Sequence, residues 1–175
     1  MEYLIVTLVK GEAEQYHQKL LYEIATVFSL QGAIKRKPPS HITFKYNFKT
    51  DDIFPIEKAI SDFCNNNSKA PYTVKGMHCF DEDVIFIDVF PSSDMKAMYL
   101  DFIESLKRNT DLEISGFDGI THFHMSLAHT DVKPKFKEVF AYVSKENPYF
   151  ECVCDNITLL RKVDGIWTIY KEFLL

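Results

Sequence analysis

The stretch SHITFKYNF, residues 40–48, is the most informative part of this sequence once it is set beside FHMSLA, residues 123–128. Each stretch places a histidine two residues before a hydroxyl residue within an alternating apolar and polar run. Because successive side chains of a strand point to opposite faces, each histidine shares a face with its hydroxyl residue. We predict two apolar-backed strands that clamp one anion between them. The two pairs are His41 with Thr43 and His124 with Ser126.

Basic residues border the first of these strands. By the same alternation Lys45 lies on the histidine face and adds positive charge, whereas Tyr46 and Phe48 pack into the core. A basic run precedes the strand and reads either as a solvated loop or as a rim that binds phosphate. Its members are Lys35, Arg36 and Lys37.

Composition points to an ordinary globular protein. The 175 residues predict a single domain over 1–175, and 46% apolar with 26% charged residues is typical of such domains. A net charge of −5 favours a small or locally bound partner over long nucleic acid. The four cysteines lack the paired spacing of a zinc site and read as reduced core residues. We therefore expect a cytoplasmic monomer with no membrane partner and no export signal.

The remaining pattern predicts an α+β fold. YLIVTLV, residues 3–9, is typical of a buried central strand, and an amphipathic helix follows from Glu12, on which His17 reads as solvated. The predicted order is β-α-β-α-β followed by β-α-β-α-β-β, which gives two similar halves with one histidine strand each. The other predicted strands are 72–80, 84–90, 157–160 and 166–173, and the other helices begin near Pro55, at Ser92 or Ser93 and at Lys133.

Two histidines and two hydroxyls suit a particular chemistry. Displacement at a phosphodiester needs a base for the nucleophile, an acid for the leaving oxygen and donors for the nonbridging oxygens. Histidine serves in both proton roles because its ordinary pKa near 6.5 leaves either form accessible. The reaction then requires neither a metal ion nor a cofactor.

The paired motifs resemble those of the two-histidine (2H) phosphoesterase superfamily, which includes bacterial 2′-5′ RNA ligase-like proteins and cyclic phosphodiesterases. HITF at residues 41–44 and HMSL at 124–127 fit its His-x-Thr/Ser-hydrophobic signature. The resemblance implies a bilobal fold in which two antiparallel sheets form a central cleft with helices outside. It also implies metal-independent hydrolysis of a cyclic phosphate or phosphodiester, such as the 2′,3′-cyclic phosphate of a nucleotide or RNA end.

The resemblance assigns roles to the motif residues. His41 and His124 become the acid–base pair, and Thr43 and Ser126 become the donors to phosphate. For hydrolysis we take His124 as the base and His41 as the acid, although the sequence leaves the reverse assignment open.

Three further side chains are candidates for substrate binding. His122 shares the strand face of His124, and Arg161 lies near the Asp164-Gly165 turn, within reach of phosphate. Trp167 follows that turn and is either a stacking platform for a base or a buried strand residue.

Two rival functions use the same residues. A nucleotide or RNA-end binding module would keep the cleft without turnover, and its ligand would be bound but never cleaved. A metal-dependent hydrolase would use His122 and His124 as zinc ligands, with His129 on the opposite face or His78 as a third ligand. Loss of activity in a chelator would favour this second rival.

Overall fold

The computed structural model describes residues 1–32 and 38–175. The strands are β1 Glu2–Leu8, β2 His41–Lys49, β3 Ala70–Phe80, β4 Val84–Pro91, β5 Phe123–His129, β6 Tyr149–Cys154, β7 Asn156–Val163 and β8 Ile166–Leu174. The helices are α1 Glu12–Val27, α2 Phe54–Asn65, α3 Ser93–Asn109 and α4 Phe136–Val143, the last preceded by a 3-10 turn at Lys133–Lys135.

The strands form two four-stranded antiparallel sheets, in the orders β2-β1-β7-β8 and β5-β4-β3-β6. Each histidine strand lies at the edge of its sheet and pairs with the strand that precedes it in the chain, β1 with β2 and β4 with β5. This arrangement confirms the predicted α+β fold with two lobes. The sheets are not consecutive halves of the chain, however, because β3 pairs with β4 in the second sheet and the β7-β8 hairpin returns to the first.

Hydrogen bonds to side chains near their first turns mark the start of two helices close to where the sequence predicts them, whereas the helix predicted from Lys133 begins with a 3-10 turn. The Ser92 hydroxyl accepts a hydrogen bond from the Met95 N–H at 3.1 Å and begins α3. The Asp52 carboxylate accepts from the Phe54 N–H at 3.0 Å, just before the first turn of α2, which contains Pro55. The helices pack their apolar faces on the sheets, α1 against β5 and β6 and α2 against β7 and β8. The core therefore extends across both lobes.

A β-bulge interrupts β2 directly after its hydroxyl residue. Ile5 of β1 pairs with Lys45, and the next residue, Val6, pairs with Thr43. Phe44 is thus the extra residue of the bulged strand.

The same irregularity occurs in β5 at the equivalent position. Ile85 of β4 pairs with Ala128, and the next residue, Phe86, pairs with Ser126, which leaves Leu127 as the extra residue. The duplication of the two lobes thus extends to the bulge.

These bulges reverse the strand faces that simple alternation predicts. Lys45 turns into the core and is only 3% exposed, so the prediction that it shares the face of His41 is wrong. Tyr46 turns out of the core, contrary to the prediction, and His129 turns to the same side as His124. Phe48 packs against the core as predicted.

Candidate active site

The two motifs meet in one cavity of about 380 Å³ between the lobes. His41 and Thr43 line it from β2, and His124 and Ser126 line it from β5. All four side chains are half-buried, so each is partly withdrawn from water while remaining open to the cavity. The structure therefore brings together the four residues that the motifs single out.

A backbone hydrogen bond fixes the ring of His41. Its Nδ1 lies 2.7 Å from the carbonyl oxygen of Pro39, an atom that can only accept, so Nδ1 carries the proton. Nε2 is then the nitrogen that can exchange a proton with a ligand. Burial lowers the pKa of His41, and the Pro39 carbonyl opposes that shift.

His124 is held differently. Its Nδ1 is buried and makes no hydrogen bond with any residue that the structure describes. Burial lowers the pKa of His124, while the nearby carbonyl of His122 favours the protonated ring. The rings of His122 and His41 lower this pKa further, and Asp88 raises it. The charge of a protonated His41 therefore lowers the pKa of His124 across the cleft.

His17 is buried, not solvated as the sequence pattern suggested, and it bridges the lobes. It lies on the apolar face of α1 and is 3% exposed. Its Nε2 donates to the Ser126 carbonyl oxygen at 2.9 Å, and its Nδ1 accepts from the Ser40 hydroxyl at 2.9 Å. Burial lowers the pKa of His17 to about 4, so the ring is neutral near pH 7.

The Ser40 hydroxyl completes this chain of hydrogen bonds. It accepts from the Gln18 side-chain amide at 3.0 Å while it donates to His17. Ser40 immediately precedes His41, and Ser126 is the second motif hydroxyl. The neutral His17 ring thus connects the side chain of Ser40, next to the first motif, with the backbone carbonyl of Ser126 in the second motif.

Lys45 is engaged away from the cavity. Its ammonium group lies 3.0 Å from an Asp118 carboxylate oxygen, and both side chains are almost wholly inaccessible to water. Burial alone raises the pKa of Asp118, but the N–H of Tyr46, the Ser115 side chain and the Lys45 ammonium hold it below its ordinary value. The predicted positive charge beside His41 is therefore neutralised inside the protein.

The other predicted substrate contacts fall in different places. Trp167 is half-buried and lines the 380 Å³ cavity. The Nε2 of His122 pairs with the Asp88 carboxylate at 2.9 Å beside that cavity. The Lys35, Arg36 and Lys37 run lies outside the described residues, and its role stays a prediction.

Arg161 lies away from the cleft, contrary to the prediction. Its guanidinium group is 5.0 Å from the centre of the Tyr170 ring, and the Tyr170 hydroxyl donates to Glu57 of α2 at 2.9 Å. Arg161 is therefore on the helix-covered side of the first sheet. The neighbouring Leu160 packs with Leu4 and Trp167 toward the cleft.

A second cavity, of about 280 Å³, adjoins the first and shares four lining residues with it. The shared residues are Thr43, Tyr46, Phe80 and His124. Sequence reasoning missed Tyr46 and Phe80 because no glycine or proline marks the bulge and because the hairpin gives no sign of which face meets the cleft. It also missed His17, although the spacing from Ala13 and Leu20 places that residue on the apolar face of α1.

Among the described residues, no group of three or more histidine, cysteine, aspartate or glutamate side chains is placed to hold a metal ion. The four cysteines are free thiols. The helices within the described ranges include none long and apolar enough to cross a membrane.

The structure contains two antiparallel sheets, and the edge strand of each brings a His-x-Thr/Ser motif into a shared cleft. This arrangement is that of the two-histidine phosphoesterases. A family model of the 2′-5′ RNA ligase superfamily matches residues 17–166, and the chain belongs to that superfamily. No curated protein matches the sequence.

Several solved structures share the fold. TT0787 of Thermus thermophilus superposes with a TM-score of 0.68 at 15% identity, over 100% of this chain and 98% of that one. E. coli LigT complexed with ATP gives 0.58 at 13% identity, over 99% and 97%. Kluyveromyces marxianus Usb1 with uridine monophosphate gives 0.51 at 12% identity, over 99% and 98%. At these identities the similarity establishes the fold.

Proposed function

We propose that the protein is a metal-independent phosphoesterase that hydrolyses a cyclic phosphate or phosphodiester, such as the 2′,3′-cyclic phosphate of a nucleotide or RNA end. The observation that carries the proposal is that both His-x-hydroxyl motifs line one cavity. Membership of the superfamily supports an enzymatic role. The structures of LigT with 3′-AMP and of Usb1 with uridine monophosphate support a ligand of nucleotide type.

In the proposed mechanism His124 is the base and His41 is the acid. Neutral His124 takes a proton from water as the water oxygen bonds to phosphorus, and protonated His41 gives its Nε2 proton to the departing ribose oxygen. The Thr43 and Ser126 hydroxyls donate to the nonbridging oxygens. Turnover leaves His124 protonated and His41 neutral, so proton exchange with solvent restores the starting state.

The charge of the cleft bears on this mechanism. Among the described residues, neither cavity is lined by lysine or arginine. In the proposed mechanism the described residues supply positive charge to the phosphate through a protonated histidine, and Lys35, Arg36 and Lys37, which lie outside the described residues, are proposed to add to it. Because burial lowers the pKa of both His41 and His124 below the ordinary value of about 6.5, the protonated His41 is lost below that pH, and we expect kcat/KM to be falling already as the pH approaches about 6.5 from below and to keep falling above it.

The test is turnover of 2′,3′-cyclic nucleotides and of a short RNA with a 2′,3′-cyclic end, measured in EDTA. We expect wild-type activity to survive the chelator and to fall at least ~10²-fold in His41→Ala and in His124→Ala. His78→Ala is the matched control, since that histidine lines neither cavity. The product isomer, identified by chromatography, shows which ester bond breaks.

Two outcomes would replace the proposal. Tight binding of the cyclic nucleotide without cleavage of any phosphodiester supplied would favour a non-catalytic nucleotide or RNA-end binding module. Loss of turnover in EDTA with recovery on adding zinc would favour the metal-dependent alternative.

We also propose that residues 1–175 act as one unit, as a monomer in the cytoplasm. The four free thiols suit a reducing compartment. Sedimentation at micromolar concentration tests the monomer, and a dimer mass would contradict it.

A further inference from the structure

The separation of the two motifs is not set by strand pairing. β2 is an edge of the first sheet and β5 an edge of the second, and among the described residues no strand ladder joins the two sheets. In the proposed mechanism an acid and a base act on opposite sides of one phosphorus atom, so the rate depends on the distance between His41 and His124. A displacement of about 1 Å between reacting groups can lower a rate about 10²-fold. Contacts between the lobes other than backbone ladders therefore hold this distance.

His17 on α1 makes such a contact with both motifs. Its Nε2 donates to the Ser126 carbonyl oxygen in β5, and its Nδ1 accepts from the Ser40 hydroxyl just before β2, each at 2.9 Å. Ser40 is itself fixed, because its carbonyl oxygen accepts from the Val9 N–H, directly after β1, at 2.9 Å. The His17 ring therefore ties the start of one motif strand to the middle of the other.

The two hydrogen bonds act where the geometry of each motif is decided. Ser126 carries the second motif hydroxyl, and its carbonyl group belongs to the peptide that leads into the bulge of β5. Ser40 adjoins His41, and the carbonyl that fixes the His41 ring belongs to Pro39 on the other side of Ser40. A shift of the His17 ring would therefore move the hydroxyl residue of one motif and the histidine of the other.

His17 is suited to this bridge and not to binding the phosphate itself. The ring lines the 380 Å³ cavity, but both of its nitrogens have partners within the protein. The Ser126 carbonyl oxygen can only accept, and the Ser40 hydroxyl already accepts from the Gln18 amide, so the bridge needs one donor and one acceptor on opposite sides of a rigid group. Neutral histidine offers this pair. Burial lowers the pKa of His17 to about 4, which keeps the ring neutral near pH 7.

We propose that His17 is a positioning residue, which holds the two histidine–hydroxyl pairs at the separation that the reaction requires. The inference rests on the proposed function and adds to that site a residue that belongs to neither motif and does not contact the phosphate. Its signature is a loss of kcat at nearly unchanged KM. A ligand still binds between displaced groups, whereas the alignment of acid, phosphorus and base is lost.

The experiment measures kcat and KM for a 2′,3′-cyclic nucleotide, in EDTA, with three variants. His17→Leu fills similar space without hydrogen bonds, and we expect kcat to fall about 10²-fold while KM changes by less than about threefold. His17→Gln keeps a donor for the Ser126 carbonyl, and His17→Asn keeps an acceptor for the Ser40 hydroxyl. Each of these two variants should therefore recover part of the lost rate.

Leu20→Ala is the matched control, since Leu20 lies on the same apolar face of α1, is as buried as His17 and lines neither cavity. It should lower the urea midpoint and keep the wild-type kcat, measured where every variant is folded. A wild-type kcat in His17→Leu, an equal loss of kcat in Leu20→Ala, or a rise in KM alone would overturn the proposal. If His17→Leu does not fold, a wild-type kcat in both His17→Gln and His17→Asn would overturn it.

A measurement without substrate separates this inference from the proposed function. If the wild type hydrolyses no cyclic phosphate, the proposed function fails, and the separation is followed through the pKa of His124, measured by NMR of its ring. The charge of His41 lowers this pKa across the cleft, so His41→Ala should raise it. In the His17→Asn background, which lacks the link to β5, that rise should be smaller because the lobes are free to separate. An equal rise in both backgrounds would overturn the positioning role.

Discussion

The two motif strands, β2 and β5, contain the same bulge at the same position, but the residue that follows the bulge differs between them. In both strands the histidine and the hydroxyl residue face the cleft, and the extra residue of the bulge follows at once. The next position turns inward in both lobes, and it holds Lys45 in the first lobe and Ala128 in the second. A small apolar side chain suits the core at that position, whereas a lysine there requires the buried carboxylate of Asp118.

The comparison distinguishes the bulge, which both lobes share, from the buried ion pair, which occurs in the first lobe. The bulge occurs at the same place twice and turns the fifth residue after each histidine, Tyr46 or His129, toward the cleft. The ion pair occurs in the first lobe, where it holds the loop that contains Asp118 against β2.

The histidines differ in how firmly the carbonyl two residues before them holds the ring. The Pro39 carbonyl lies 2.7 Å from His41 Nδ1, whereas the His122 carbonyl favours protonated His124 while His124 Nδ1 makes no hydrogen bond among the described residues.

The largest expected effect tests whether the two histidines have different roles. On 2′,3′-cyclic nucleotides, both His41→Ala and His124→Ala should lose about 10²–10⁴-fold in kcat. A p-nitrophenyl phosphodiester has a leaving group that departs without a proton. On this substrate no acid is needed, so His41→Ala should retain most of the wild-type rate. His124→Ala should remain impaired because the base is still required, and single-turnover kinetics measures both rates. The reverse pattern would exchange the acid and the base.

The second prediction concerns the residue after the bulge. Lys45→Met leaves the Asp118 carboxylate buried without its cation and should lower the free energy of unfolding by about 3–5 kcal/mol. The double variant Lys45→Met with Asp118→Asn removes the unpaired charge and should recover part of that loss. Urea denaturation measures both. If Lys45→Met unfolds like the wild type but loses phosphate affinity, Lys45 serves the substrate as the sequence alone suggested.

A third prediction concerns the link between the motifs. The folded-state pKa of His17, about 4, lies below the ordinary value of 6.5, so the unfolded chain binds the extra proton between these two values. This contribution to stability is complete above pH 6.5 and is lost as the pH falls to about 4, on the order of 3 kcal/mol in total. Urea denaturation across this range measures the loss.

The matched variant for this experiment is His17→Gln, which keeps an amide donor and does not titrate. Its stability relative to wild type should improve steadily as the pH is lowered, since carboxylates elsewhere affect both proteins equally. A constant difference between the two proteins from pH 7 to pH 4.5 would contradict a buried neutral His17.

The smallest expected effects belong to the hydroxyls. Thr43→Val and Ser126→Ala should each lower kcat/KM by about ten- to hundredfold, the worth of one hydrogen bond to a charged group. Thermal unfolding checks that stability is kept, because both hydroxyls face the cleft and Ser126→Ala leaves the backbone carbonyl that binds His17. A loss in one variant alone would show that a single lobe holds the phosphate.

Local patterns predicted most of the elements and the four motif residues, because strand alternation and helix caps act over a few residues. Most exceptions involve distant partners. The bulges at Phe44 and Leu127 depend on registry with β1 and β4, so Lys45, Tyr46 and His129 were placed on the wrong faces. β6 was missing from the predicted order of elements because it is an edge strand with half of its side chains exposed, so it lacks the continuous apolar run that marks β7.

The site was predicted less completely than the fold. The histidine and hydroxyl pairs are visible because each repeats a local pattern. The bridge from His17 to Ser126 and the pair of Lys45 with Asp118 join residues from different lobes, and only the folded chain brings them together. Arg161 was misplaced because a residue near a turn can face either side of a hairpin.

The two bulged strands also bear on how the protein avoids self-association. β2 and β5 are edge strands, which present backbone N–H and C=O groups that a strand of another chain can pair with. A bulge breaks the even spacing of those groups and twists the strand, so a regular ladder cannot form on it. The feature that orients the cleft residues therefore also makes these two edges, which approach each other across the cleft, poor templates for a strand of another chain.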